Sequence, residues 1–460
     1  MSAVVSFWTQ LQIMLLYDQA VFAGLLVLIY FISLCFNRRN VQWLIHILPE
    51  TRLCVKTELH LVQMIFSLIC CVIVFGYESA ISTLLSASII WALHRLTSAK
   101  LAQPLTWIST FTWLSYLHLN RPEVWTPHIT GSVMLMTIRY TSYASDRKAG
   151  LTKTGSLPEW LGWSFFIPSF FTGPTTSLEE YRAWHAYVNN VSKNVVKEAI
   201  EDTCPANKTF VRALWYAPFV IIGQMTFPAI GVTRFEPTQG MVYRVFYAWM
   251  ALWCIKCRYY LAWGVAEAAF VASDASKFVW HHGRNIDFKR VETAQTFHSI
   301  TKYWNICTAD WLKRYIYIPL QTWLDQTGWN RQYAIVGTNV VSASWHGISA
   351  GYYVTFIAGG FCTAIGRLMH KHLDPFISGL NSVILCSVYE IVMVLLTNVL
   401  VITFGLPFEL LSWQATWEAW KGLFFIGHVW LGAALLLVLA SIVLTNQMPK
   451  DQMPKETKIE

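Results

Sequence analysis

The two side chains best placed to do chemistry in this 460-residue chain are His346, in Ser344-Trp345-His346-Gly347, and Asn305, in Tyr303-Trp304-Asn305-Ile306. His346 falls inside the stretch from Val341 to Tyr353, which is otherwise apolar and long enough to enter a membrane. Charging an imidazole there costs on the order of several kcal/mol, so the ring must stay neutral or find partners. Burial lowers a histidine's pKa, and a neutral, partly desolvated imidazole is poised to act as a general base. That role is worth roughly 10²- to 10⁴-fold in rate. Small residues on both sides, Ser344 and Gly347, give a substrate or another backbone room to approach. Asn305 closes a polar segment where it enters the membrane zone. Its amide can donate to a developing oxyanion or hold a carbonyl oxygen, and one such donor contributes roughly 3 to 4 kcal/mol. Each residue has a plainer reading: most buried histidines only satisfy a core contact, and most asparagines cap a helix or face solvent.

Other constellations are weaker. His282-Gly283-Arg284-Asn285-Ile286-Asp287 has the His-x4-Asp spacing of one glycerolipid acyltransferase family, but one such spacing among thirteen histidines is unremarkable, and a solvated loop is the plain expectation. Cys254-Ile255-Lys256-Cys257 has CxxC spacing without a second pair or a βαβ pattern, which favours apolar packing over redox or metal chemistry. Glu267 and Glu390 lie in apolar stretches and could line a proton path in a carrier; helix-helix pairing with Lys256, Arg258 or Arg139 is the expectation. Asn190-Val191-Ser192 and Asn207-Lys208-Thr209 have N-glycosylation spacing, which matters only if that loop faces a lumen.

Something must position these groups, and composition says what. The chain is 55% hydrophobic and 13% charged, against about 25% charged in soluble proteins. Apolar runs near the roughly 20 residues that span a bilayer recur from end to end, and 23 Trp with 20 Tyr can populate both interfaces. Such a chain is a polytopic membrane protein with helical spans. They are expected near residues 21–36, 59–77, 79–94, 101–118, 128–143, 210–233, 241–272, 333–347, 351–370, 380–405 and 421–445. The net charge of +8 is dispersed between spans rather than gathered on one soluble face, which argues against nucleic acid and for lipid headgroups or a phosphate-bearing cosubstrate. Ten scattered cysteines make no disulfide framework.

The segment Met1 to Ala20 lacks a basic region and an uninterrupted apolar core, so the first span is expected to be a retained anchor ending at Asn37-Arg38-Arg39-Asn40. Two polar regions interrupt the spans. Leu178 to Lys208 reads as an amphipathic helix; within Ala275 to Tyr317, Trp304, Thr308, Trp311 and Tyr315 recur at helical spacing, as in a helix lying among headgroups or in a core stripe. Residues 1–445 are expected to form a single membrane domain and 446–460 a disordered tail, where Lys455 and Lys458 faintly resemble a retrieval signal of the endoplasmic reticulum.

Taken together, Trp304-Asn305, the following Trp311-Leu312-Lys313-Arg314-Tyr315-Ile316-Tyr317, and Ser344-Trp345-His346-Gly347 with Gly351-Tyr352-Tyr353 and Phe356 resemble the membrane-bound O-acyltransferase (MBOAT) family in order and content. Phe171-Thr172-Gly173-Pro174 with Tyr181, and Arg258-Tyr259-Tyr260-Leu261-Ala262-Trp263 with Glu267, agree, so the resemblance covers roughly residues 130 to 430. Asp146 also falls at a family position and is given no role. The lysophospholipid acyltransferase branch is the most similar, through Gly351-Tyr352-Tyr353, although Ala350 stands where Pro is common. Leu406-Pro407-Phe408, Trp417, Trp420-Lys421, Phe424 and Gly427-His428 also look like its C-terminal block.

The resemblance implies an all-α bundle of about 9–11 transmembrane helices around a buried catalytic chamber, some of them short or tilted. It implies transfer of a fatty acyl group from acyl-coenzyme A, a cosubstrate, to the free glycerol hydroxyl of a lysophospholipid. His346 would be the base and Asn305 the support for thioester or oxyanion, with no metal and no tightly bound cofactor, in the endoplasmic reticulum membrane. Lys313, Arg314 and Arg331 are expected to meet the coenzyme's phosphates. The alternatives are another acceptor (sterol, diacylglycerol or protein) or, from a different class, a polytopic carrier or channel.

Overall fold

The computed structural model describes residues 20–47, 55–120, 128–189, 205–374, 377 and 382–447. The expectations for the segment before Ala20, for the sequon at Asn190 and for the tail beyond Gln447 fall outside them; Asn446 and Gln447 themselves end the last helix. Among the described residues the regular elements are helical, and one isolated bridge, Ile286 to Trp304, is the strand-like contact.

The chain divides into two units, Met1–Ile221 with Cys257–Asn285, and Ile222–Lys256 with Ile286–Glu460. The first contains α1 (Ala20–Cys35), α2 (Arg38–Ile47), α3 (Val55–Phe75), α4 (Tyr77–Leu96), α5 (Ala99–Leu119), α6 (Thr130–Lys148), α7 (Leu157–Ser164), α8 (Ile167–Phe170), α9 (Leu178–Val188) and α10 (Ala206–Leu214). Two helices, α11 (Ala217–Thr226) and α12 (Met241–Ala272), run from one unit into the other along the chain. The second unit continues with α13 (Phe288–Glu292), α14 (Phe297–Tyr303), α15 (Ile306–Leu312), a π-helical turn (Lys313–Tyr317), α16 (Ile318–Thr327), α17 (Gln332–His346), α18 (Ala350–His372), α19 (Val383–Leu410), α20 (Trp413–Gly422) and α21 (Ile426–Gln447).

The first unit is built around buried tryptophans whose indole N–H groups are each used. Trp160 donates to the carbonyl of Ala87, Trp163 to that of Thr176 and Trp184 to that of Ser273. A buried indole needs such a partner, because an unpaired donor in an apolar setting is destabilising. The expected amphipathic helix from Leu178 is α9, which starts with a reciprocal capping box between Ser177 and Glu180. Its Arg182 joins Glu159 at 2.8 Å and Glu179 at 2.6 Å. Arg139, buried on α6, donates to the carbonyl of Ser164 and to the hydroxyl of Ser169. It therefore does not serve as the partner expected for Glu267, which pairs instead with Arg212 at 3.0 Å and Arg284 at 3.6 Å.

Among the described residues five segments are long and apolar enough to cross a bilayer: Glu58–Phe75, Tyr77–Leu96, Ala206–Thr233, Val383–Leu410 and Ile426–Val443. The other expected spans are helices as well. Most carry polar residues, such as Arg139 on α6 and Arg244, Lys256 and Glu267 on α12, or are short, as α17 is with 15 residues. The span expected over 210–233 is broken into α10, α11 and a 3-10 turn at Ala229–Thr233. Glu390, on α19, is exposed and joins no ion pair among the described residues, contrary to the pairing expected for it. The chain is an all-α, multi-pass membrane protein.

In the second unit Val232, Ala248, Ala251, Leu252, Ile402, Leu406, Leu410, Ala419 and Leu423 form one buried apolar cluster. Cys254 and Cys257 are both buried on α12, in line with packing. Lys256, also on α12, meets Glu292 of α13 at 2.7 Å, with the two side chains 10% and 17% exposed. Losing a hydrogen bond between two charged, largely buried groups costs roughly 1.5–3 kcal/mol. Lys256→Met and Glu292→Gln are therefore each expected to lower the unfolding free energy by roughly 1.5–3 kcal/mol, and the double variant to lose less than the sum of the two; denaturant unfolding in detergent micelles measures all three.

Candidate active site

His346 is the last residue of α17, and Gly347 stops the helix there. Gly347 has φ 142°, ψ −169°, a backbone that a side chain disfavours, and its N–H closes on the carbonyl of Ala343 at 3.0 Å. The helix end presents the half-buried imidazole to three rings from other helices, beside Trp345 of its own, which meets it edge-on at 4.6 Å. Phe356 stacks on it with centroids 5.0 Å apart and planes at 18°, Phe408 meets it edge-on at 4.9 Å and 81°, and Tyr352 lies at 5.8 Å. Tyr352 and Phe356 are four apart on α18, so both project from one face. Phe408 comes from the last turns of α19.

α18 can reach α19 because residue 351 has no side chain. A Cβ on Gly351 would collide with the carbonyl oxygen of Pro407 and with the backbone of Leu411. The Gly351 N–H, one of the donors that a helix start leaves over, goes to the carbonyl of Leu411 at 2.7 Å. The approach of another backbone, expected beside Ser344 and Gly347, is seen at Gly351. The side wall is held by Ser344, whose hydroxyl donates to the Val340 carbonyl at 2.9 Å and lies 3.2 Å from the Tyr353 hydroxyl.

Asn305 stands just before α15 with φ 49°, ψ 56°, a left-handed conformation that asparagine tolerates better than most residues. Its carbonyl starts the helix, accepting from Ala309 N–H at 3.0 Å, and its side chain makes no capping hydrogen bond. Trp304 before it is extended and bridges to Ile286, so the helical stripe expected through Trp304 begins only at Ile306. Thr308 and Trp311 are buried, as in a core stripe rather than a headgroup-facing helix. Asn305 and His346 belong to the same unit, and their elements touch: Trp311 of α15 packs on Trp345, the residue before His346, with centroids 6.0 Å apart.

The competing residues serve other ends. His282 bonds the Ser276 carbonyl at 3.2 Å, and Asp287 caps α13 by accepting from Arg290 N–H at 3.1 Å. They fall in different units. Arg331, expected to meet phosphates, is held by both oxygens of Asp325 at 2.6 and 2.7 Å. Lys313 and Arg314 are exposed on the π-helical turn. A surface cleft along α10, lined by Asn207, Lys208, Val211, Arg212 and Trp215, lies in the first unit and contains neither candidate. Among the described residues no cluster of three His, Cys, Asp or Glu side chains could hold a metal.

A family model, the membrane-bound O-acyltransferase family, matches residues 63–406, a range that includes Asn305 and His346. The chain belongs to this family. Among curated MBOAT relatives, the lysophospholipid acyltransferase of Schizosaccharomyces pombe is 26% identical over 64% of this chain and 60% of that protein. The lysophospholipid acyltransferase of Saccharomyces cerevisiae is 23% identical over 69% and 58%. Human membrane-bound glycerophospholipid O-acyltransferase 1 is 24% identical over 83% and 82%. The chain thus spans about three fifths of the length of the two fungal proteins.

The close approach at Gly351 can be tested directly. Gly351→Ala drives a methyl group into the α19 backbone and is expected to destabilise this MBOAT chain by about 1–3 kcal/mol. Gly432→Ala, in the open interior of α21 where nothing lies within 4 Å, should be neutral or stabilising by up to about 1 kcal/mol. Thermal unfolding of the two variants beside the parent protein reads the opposite signs.

Proposed function

We propose that this chain is a lysophospholipid O-acyltransferase that moves a fatty acyl group from acyl-coenzyme A to the free glycerol hydroxyl of a lysophospholipid. The observation that carries the reading is the imidazole of His346, held by Tyr352, Phe356 and Phe408 at the end of α17, in a chain whose curated relatives carry lysophospholipid acyltransferase names.

A glycerol hydroxyl is too weak an acid to react unaided. His346 takes its proton as the alcohol oxygen attacks the thioester carbonyl. The carbonyl π electrons move to oxygen, the tetrahedral adduct collapses with cleavage of the carbon–sulfur bond, and the departing thiolate recovers the proton from the imidazolium. Atoms and charge balance without an acyl-enzyme. Asn305 steadies the thioester oxygen as it becomes negative. The backbone dipoles favour this division of roles. His346 sits at the negative, C-terminal end of α17, where an imidazolium is stabilised, and Asn305 at the positive, N-terminal start of a helical run from Ile306 through Thr327.

Both lipids stay in the membrane on this reading. Drawing a long acyl chain into water costs about 0.8 kcal/mol per methylene, so a chamber opening sideways to lipid, with a polar entrance for the coenzyme, suits the substrates. No metal and no bound cofactor takes part. The endoplasmic reticulum is the proposed membrane, on the family resemblance.

Membranes carrying the chain, supplied with labelled acyl-coenzyme A and a panel of lysophospholipids, sterol and diacylglycerol, are expected to esterify lysophospholipid. His346→Ala should lose roughly 10²- to 10⁴-fold in rate, and Asn305→Ala roughly 10²- to 10³-fold. Transfer to sterol or diacylglycerol alone would assign a different acceptor, and a His346→Ala protein of undiminished rate would end the mechanism.

A further inference from the structure

Thr355 lies on α18 between Tyr352 and Phe356, the residues whose rings pack on His346. Three- and four-residue spacing puts positions 352, 355, 356 and 359 on one helix face, and at Gly359 that face receives the ring of Phe297 from α14. The Thr355 hydroxyl oxygen is buried and has no hydrogen-bond partner among the described residues. This is not the habit of threonine in this molecule. Thr106, Thr110, Thr137, Thr141, Thr403 and Thr416, all buried on helices, each donate to the carbonyl four residues earlier. The same bond is open in principle to any helical threonine. A buried hydroxyl left without a partner is uncommon in native structures, and a ligand is one thing that completes it.

We infer that Thr355 is an acceptor-binding residue, its hydroxyl bonding a glycerol oxygen of the lysophospholipid; the inference rests on the acyltransferase reading above. A general base must touch the attacking alcohol, so the acceptor's glycerol lies against His346. α18 supplies two of the three rings that other helices bring to that imidazole, and Thr355 shares their face. Asn305, which serves the thioester, belongs to a different helix. A threonine hydroxyl both donates and accepts, which suits a glycerol backbone whose ester and hydroxyl oxygens offer both kinds of partner.

The full chain in nanodiscs provides the test, through KM for lysophospholipid, KM for acyl-coenzyme A and thermal unfolding of Thr355→Val and Thr355→Ser. Valine keeps the volume and removes the hydroxyl; serine keeps the hydroxyl. Thr355→Val is expected to raise KM for lysophospholipid by about tenfold, the effect of losing one hydrogen bond, with KM for acyl-coenzyme A unchanged and no loss of thermal stability. Thr355→Ser should stay close to the parent in both constants. Parental kinetics in Thr355→Val, a rise confined to KM for acyl-coenzyme A, or a Thr355→Ser protein as impaired as Thr355→Val would each overturn the inference while leaving the acyltransferase reading intact. A parent protein that esterifies no lysophospholipid would overturn both together.

Discussion

The approach of the first turn of α18 to the backbone of α19 is the contact on which the candidate site depends. Gly351 lies against the carbonyl of Pro407 and bonds the carbonyl of Leu411, and this places Phe408 across from Tyr352 and Phe356. The aromatic enclosure of His346 exists only because the two helices meet this closely. Any side chain at position 351 would push Phe408 outward and open one wall. Gly347 complements it by ending α17 at the histidine, so the imidazole stands at a helix terminus rather than on a helix flank.

Backbone strain gathers at the same end of this unit. Leu411, with φ 62° and ψ −46°, and Phe424 and Phe425, both with φ 52°, hold conformations that bulky L-residues avoid. Each costs on the order of 1–3 kcal/mol and persists only where the surroundings over-determine it. For Leu411 the compensation is visible in the hydrogen bond its carbonyl accepts from the Gly351 N–H at the start of α18. For Phe425 it is packing, against Trp417 at 5.3 Å and His428 at 5.5 Å. Asn305 reaches positive φ with less strain, since asparagine visits that region readily. Its choice before α15 thus gives a sharp change of direction at little conformational cost.

Much of this was legible in the chain. Low charge, recurrent apolar runs and the Trp and Tyr content gave the all-α membrane class, and Trp-His-Gly with the spaced aromatics pointed to His346, Tyr352 and Phe356. What sequence spacing does not encode is the choice of partner. Glu267 had several cations within plausible reach along the chain, and folding selected Arg212 and Arg284. Arg331 looked available for a phosphate until the fold placed Asp325 beside it. Trp304 fitted a helical stripe by spacing, but Asn305 breaks the helix, and the bridge to Ile286 holds Trp304 extended. Thr355 gave no sign at all, because a threonine among apolar residues looks the same whether or not its hydroxyl turns back to the helix.

The aromatic surroundings of His346 also bear on why a base would be lodged here and not on a soluble loop. The rings cover part of the half-buried imidazole and leave electrostatic effects close to it less screened. A helix dipole that is a minor influence at an aqueous surface therefore weighs more beside the histidine. On the proposed reading the same cover would also limit water as a competing nucleophile, since a thioester that met water instead of the acceptor would be lost to hydrolysis. Phe356 stacks on the ring and Phe408 meets it edge-on, an arrangement that under the proposed mechanism would also leave the space next to it to an alcohol arriving from the membrane.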